Sequence, residues 1–256
     1  MMRKKIGVAA LLGLMATGAF VAPAMAQCVS PVLIKFDADV FAYESMYDPS
    51  TLISSTGSNL TVVGKIVCFG PPLDYLNANM PATEYTFIWS LKTLAPGTVQ
   101  TILGRVWDTD YASATQPGTF SIYEDGAPNA PNATTVLPYP PNADVPAKFV
   151  DGTVILSGVI DYFHTQVTKS SLGTYGGSFN ATYHFTGGTL YPVIGGNSSN
   201  LNGLWCTIGT GTGQCMIPSN YVPPPPPGYS AHPSGKNDVP TVAHLSTWGA
   251  IKQLYR

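Results

Sequence analysis

Charge is scarce in this chain: Asp, Glu, Lys and Arg together make up 10% of 256 residues. The shortage falls hardest on the bases. Of twelve Lys and Arg residues, Arg3, Lys4 and Lys5 stand at the amino terminus, leaving nine against fourteen acids in the remainder. Between residues 27 and 217 only Lys35, Lys65, Lys92, Arg105, Lys148 and Lys169 face thirteen acids. Such a body has no phosphate-binding footprint, which excludes nucleic acid as a partner class. Helical periodicity is also missing. No long segment before residue 240 repeats apolar residues at three- or four-residue spacing, which argues against a helical bundle or a βαβ layout. There is no G-x-S-x-G elbow, no H-E-x-x-H and no phosphate loop, so the common nucleophile, zinc-hydrolase and nucleotide signatures are absent. Without paired C-x-x-C spacing, the four cysteines do not read as a thiolate metal site.

The chain does carry an export-like start. Arg3, Lys4 and Lys5 precede an apolar run from Ile6 to Val21 and a small-residue site at Ala24-Met25-Ala26. This is the layout of a secretory signal peptide over residues 1–26, with cleavage expected before Gln27. Cys28 lacks the flanking residues of a lipoprotein cysteine, so no lipid anchor is expected. All four cysteines follow the cleavage site, and an even set in an oxidising compartment predicts disulfides. Three pairings are open. Cys206 and Cys215 bracket the turn "CTIGTGTGQC" and form the easy local pair, which leaves Cys28 for Cys68.

Alternating β-branched and aromatic residues between Gly, Pro and Asn punctuation mark strands in "PVLIKFDADVFAY", "NLTVVGKIVCF", "EYTFIWSLKTL", "TVQTILGRVW", "GTFSIYED", "GTVILSGVIDYF" and "GSFNATYHFTGG". A further short strand is expected near Trp205. The proline-rich stretch after Asp125 reads as an irregular surface loop. The expected fold is all-β, an antiparallel sandwich or partly open barrel over residues 27–217. A Pro-rich and polar linker is expected over 218–241, followed by a short amphipathic tail over 242–256.

The run "GTFSIYEDGAPNA", then "FVDGTVILSGVIDYF", then "GGSFNATYHFTGG" resembles the bodies of exported bacterial β-rich proteins whose carboxy-terminal tails act in sorting or surface retention. The resemblance covers roughly residues 98–190 and implies an exported β module without a known activity. The tail departs from the best-known signals of that kind, having neither a Pro-Glu-Pro motif nor a membrane-length apolar run.

Few residues point to specific chemistry. A hairpin centred near Thr174 would set His164 directly opposite His184, close enough for two imidazoles to share a metal. Asp161 would then lie off that face, with Tyr162 and Gln166 on it. Asp37 with Asp39, and Asp108 with Asp110, each place two carboxylates two residues apart. The second pair is a candidate for structural calcium, and Asp37 with Asp108 for a glycosidase pair. Trp89, Trp107, Tyr111, Tyr175 and Tyr191 could stack on sugars if exposed. Asn-x-Ser/Thr triplets begin at Asn59, Asn132, Asn180 and Asn197. No cofactor is expected beyond that candidate calcium.

In the tail, Val242, Leu245, Trp248, Ile251 and Tyr255 recur at helical spacing, with Ser246 or Thr247 as N-cap and Lys252 and Arg256 near the end. About eleven residues of helix reach roughly 16 Å, half a bilayer, so this segment cannot span a membrane. Five consecutive prolines from Pro223 and a polar stretch after them would hold it away from the body. Trp248, Ile251, Lys252, Tyr255 and Arg256 are the expected recognition residues for an envelope or secretion partner.

The sequence therefore points to a non-catalytic exported module of a bacterial envelope or extracellular matrix, located at the cell surface, outside the cell or in the periplasm. A carbohydrate-binding or carbohydrate-active secreted protein is the alternative, with a glycan as its partner. A metal-binding periplasmic protein is the third possibility.

Overall fold

The computed structural model of the protein describes residues 28, 30–48, 51, 53–101, 104–130, 146–171, 175–207 and 229–238. The expected signal peptide, Cys215, the proline run and the 242–256 tail with its recognition residues lie outside them.

The strands are β1 (Val32–Glu44), β2 (Tyr47–Asp48), β3 (Ile53–Ser54), β4 (Asn59–Phe69), β5 (Glu84–Lys92), β6 (Ala95–Thr101), β7 (Gly104–Ala112), β8 (Gly118–Asp125), β9 (Thr153–Ser170), β10 (Tyr175–Gly187), β11 (Ser199–Thr207) and β12 (Tyr229–Asp238), with one helical turn, α1 (Tyr191–Ile194). Neighbouring long strands pair antiparallel. The series β1-β4-β5-β8-β9-β10-β11-β12 returns to β1 and closes an eight-stranded up-and-down barrel. The all-β antiparallel expectation holds, and the expected sandwich or partly open barrel takes the form of a sheet closed on itself, leaving its ring without free edges.

Two of the staves are double. β7 and β8 lie end to end along β9, which pairs with β8 through Thr153–Ile160 and with β7 through Phe163–Ser170. β5 and β6 follow the same line, because β5 pairs with β8 and β6 with β7. The stretch "TVQTILGRVW", whose alternation suggests one strand, is thus the tip of the β6–β7 hairpin. This hairpin and the adjoining ends of β9 and β10 project beyond the ring on one side of its mouth.

Alternation decides what fills the barrel. Along β10, Phe179, Ala181, Tyr183 and Phe185 are buried, while Asn180 between them is exposed and Thr182 and His184 are half-buried. The inward residues are aromatic to an unusual degree. Phe36, Phe87, Trp89, Phe163, Phe179 and Trp205 meet with ring centroids 5.1–6.4 Å apart. Each pair adds about 0.5–1.5 kcal/mol beyond the area it buries. Apolar inside and polar outside is the reverse of a lipid-facing barrel. No described helix is long and apolar enough to cross a membrane.

At the base, Leu73 and Leu76 of a 3-10 turn and Ile194 of α1 join this core. The Asn77 amide accepts from the Phe69 backbone N–H and donates to the Phe69 carbonyl, both at 2.8 Å, taking the place of a strand partner. On the outer wall a second cluster packs Phe149 and Ala130, from the two ends of the long proline-rich loop, onto Phe41 and Val63. Thr86 Oγ1 donates to the Phe149 carbonyl at 2.8 Å, and Lys65 pairs with Glu84 beside it.

The largest departure from expectation is β12. Residues 229–238, "YSAHPSGKND", read from the sequence as part of a polar leash outside the 27–217 domain, form the strand between β1 and β11. The physical reason is volume. Gly235 lies opposite Gly203, and a Cβ on Gly235 would come within 2.9 Å of the Phe179 ring and 2.4 Å of the Asn202 carbonyl. With the barrel already full, the closing strand needs small inward residues, and a strand without bulky apolar residues carries no sequence signal. Tyr183 Oη and Ser199 Oγ donate to the Asp238 carbonyl at 3.3 and 2.6 Å and fix its end.

Cys28 and Cys68 form the disulfide left by the local-pair reading. Cys206 is half-buried on β11 opposite His232, and its expected partner Cys215 lies outside the described residues.

Two outcomes follow from closure. A chain stopped after Ser219 should lose cooperative unfolding because it lacks β12, whereas one stopped after Asp238 should unfold in urea with the midpoint of the full chain. Replacing Cys28 and Cys68 with Ser should cost about 4 kcal/mol in the same assay, the loop entropy released by a 40-residue separation.

Candidate functional site

The mouth of the barrel carries its polar chemistry. Glu44, at the end of β1, is fully buried. Tyr111 Oη donates to Glu44 Oε1 at 2.8 Å, Thr93 Oγ1 donates to Oε2 at 3.4 Å, and Ser54 Oγ of β3 lies 3.2 Å from the Tyr111 hydroxyl. The β2–β3 hairpin therefore sits on this group as a lid, and Trp107 Nε1 donates to the Thr51 carbonyl at 3.1 Å to hold it. Burial pushes the Tyr111 hydroxyl well above its ordinary value, and the Glu44 carboxylate adds to the rise.

Beside this lid, a single ladder row crosses four strands. Gln100 of β6 opposes Arg105 of β7, Arg105 opposes Lys169 of β9, and Lys169 opposes Tyr175 of β10. Trp107, on the same face as Arg105 by alternation, stacks with Tyr175 at 6.2 Å between centroids and 24° between planes. The Arg105 guanidinium lies 5.5 Å from the Trp107 centroid, and the Lys169 ammonium 5.1 Å from the Tyr175 centroid. Together with Thr51 and Ser171 they line an open cleft of about 310 Å³.

The convex wall of β7, β9 and β10 carries the sequence-expected imidazoles and carboxylates. His164 Nδ1 lies 2.9 Å from Asp110 Oδ1, and its Nε2 lies 3.4 Å from Asp108 Oδ1. Gln166 Nε2 donates to Asp108 Oδ1 at 2.9 Å. Tyr162 stacks parallel to His164 at 6.2 Å. Its hydroxyl is shifted upward, by burial first and then by Asp110 and Asp108.

The two histidines do not oppose each other. His164 faces Asn180, and His184 faces Val159. The register breaks between Thr182 and Tyr183, leaving Asp161 without a ladder partner on a bulge. The bulge turns Asp161 towards His184, and their Oδ2 and Nδ1 lie 2.8 Å apart. Instead of one shared site the wall has two separate Asp–His groups, Asp108 and Asp110 at His164 and Asp161 at His184. Asp108 and Asp110 lie on a strand facing His164 and Gln166, not in a cation-enclosing loop. Among the described residues, no three His, Cys, Asp or Glu gather closely enough to hold a metal ion. The side chains of Asp37 and Asp39 lie outside the described residues.

Of the five candidate stacking aromatics, Trp89, Tyr111 and Trp107 are core residues. Tyr191 packs against the core at the opposite end. Trp107 and Tyr175 are brought together in the cleft. Arg105 and Lys169 were missed because each is a lone base in its strand. Their signal, two of the body's six cations each beside an aromatic, emerges only when the register pairs them.

Replacing Tyr111 with Phe removes the donor to Glu44 and should cost about 1–3 kcal/mol in urea unfolding at neutral pH. The alkaline limb should change in the opposite sense. Above about pH 10 an unfolded tyrosine ionises, whereas in the folded barrel burial and neighbouring Glu124 push Tyr85 up to about 12, and Tyr183 and Tyr111 are also raised. The unfolded state then holds fewer protons, so stability falls as pH rises through this range. The Tyr111→Phe variant should show a shallower fall. These assignments rest on the residues themselves, because the chain matches no family model, no curated protein and no solved structure.

Proposed function

We propose that this chain is an exported, non-catalytic β-barrel module of a bacterial envelope or extracellular matrix, which binds its ligand at the mouth and carries a carboxy-terminal sorting or anchoring handle. The observation behind this reading is the filled interior. Phe36, Trp89, Phe163, Phe179 and Trp205 occupy the axis, so the barrel serves as a rigid support for its rim. The Cys28–Cys68 disulfide is consistent with an oxidising compartment.

The distribution of acids favours binding over catalysis. Glycoside hydrolysis needs two carboxyl groups flanking a bond. Here Asp108, Asp110 and Asp161 are engaged with imidazoles on the convex wall, while the cleft is lined by two cations, hydroxyls, an amide and aromatic rings. A glycan is the favoured ligand class, because Tyr175 is half-buried at the cleft with Trp107 stacked behind it and stacking on aromatic faces is a general means of holding sugar rings.

The handle is tested by fractionating host cells that express the full chain or a chain stopped after Asp238, which keeps β12. The full chain should reach the surface or medium and the shortened one should stay in the periplasm, both with the Cys28–Cys68 bond. Identical distribution of the two would remove the handle from this reading.

A further inference from the structure

Arg105 and Lys169 are direct cross-strand neighbours. Side chains so placed have Cβ atoms about 5 Å apart, and like charges there repel. The body could readily have avoided this arrangement, having thirteen acids and only six bases between residues 27 and 217. Among the described residues neither cation meets a carboxylate. The acids nearest in sequence, Asp108 and Asp110, point to the other face of β7 and are held by Gln166 and His164. Arg105 Nε is buried and has no hydrogen-bond partner. Each cation rests on a ring, and such contacts contribute about 0.5–1 kcal/mol at exposed sites, without supplying an acceptor for their N–H groups.

Two unneutralised cations that line one cleft, one of them with a buried N–H that lacks an acceptor, form a receptor for an oxyanion. A planar guanidinium matches the two oxygens of a carboxylate or sulfate, and an ammonium adds a second charge-assisted bond. Ser171 and Thr51 on the rim of the cleft suit the hydroxyls of a sugar bearing that group. The cleft of about 310 Å³ falls at the small end of the ligand-site range. We infer that the mouth cleft binds an acidic saccharide, its carboxylate or sulfate held between Arg105 and Lys169 and its ring against Tyr175. This rests on the glycan-binding reading above and adds the ligand's charge.

The test is isothermal titration of the full chain with oligogalacturonate and with the neutral galacto-oligosaccharide of equal length, beside thermal unfolding in sulfate and in chloride at matched ionic strength. Arg105→Gln and Lys169→Gln are run in parallel. The second variant changes a half-exposed side chain and covers the case in which loss of the Arg105 stem disturbs Trp107. Expected are binding of oligogalacturonate alone, weakening with salt, at least a tenfold loss in each variant, and a sulfate-specific rise in unfolding temperature that both variants abolish.

If the neutral sugar binds equally and the variants do not alter it, the acidic-ligand inference is overturned and the glycan reading stands. If neither sugar binds but sulfate stabilises through Arg105 and Lys169, the oxyanion receptor stands and its saccharide carrier is wrong. If no probe acts on the native chain, both readings fail.

Discussion

Filling a closed barrel with rings constrains every other part of this molecule. Phe163 and Phe179 stack almost parallel, 7° apart at 5.4 Å, and Trp89, Trp205 and Phe36 surround them. Protein interiors are packed as densely as organic crystals, so the volume taken by these rings has to be yielded by the strands opposite. It is yielded at Gly203 and Gly235, where the two backbones approach Phe179 directly. The small residues of β11 and β12 and the large residues of β5, β9 and β10 are thus two halves of one packing solution. The same filling leaves the wall and the rim as the surfaces on which the described side chains meet solvent.

The rim is uneven because the staves have unequal lengths. β9, with eighteen residues, outruns the ring and carries β7 and β10 with it. An inward-facing surface there emerges from the core into solvent. Residues that continue the inward alternation of β7, from Tyr111 through Trp107 to Arg105, grade from fully buried to partly exposed. The gradient brings a cation to the end of a hydrophobic face without leaving it buried in the core. Glu44 lies deeper under the β2–β3 lid, where Tyr111 and Thr93 supply the donors that a buried acid requires.

The sequence made most of the strands legible, because half-buried strands alternate; β8 and β10 do so cleanly, and β4 and β5 do so except where Phe149 covers the outward Val63 and Thr86. It did not reveal closure. A sandwich and a barrel share the same alternation, and the deciding strand, β12, contains Pro233 and Gly235, which ordinarily argue against a strand. The histidine pairing failed for a related reason. The arithmetic of a hairpin depends on where it is centred, and the ladder pairs Tyr175 with Lys169 and Asn180 with His164, four residues out of step with a centre at Thr174 before the bulge at Asp161 is reached. The Cys28–Cys68 bond was legible by elimination, since a clip between an amino-terminal segment and a strand needs no knowledge of the sheet. The cleft was not legible, because its row of Gln100, Arg105, Lys169 and Tyr175 draws one residue from each of four strands.

The position of β12 also sets an order of events. Val32 pairs with Asp238, so the first stave of the barrel waits for the last. Contacts of such long sequence separation form late, because the loop entropy must be overcome before they are made. A chain delivered amino terminus first can form the β9–β10 hairpin early, yet β1 keeps one unpaired edge until residue 238 has emerged. Completion of the fold therefore reports that the chain is present through residue 238.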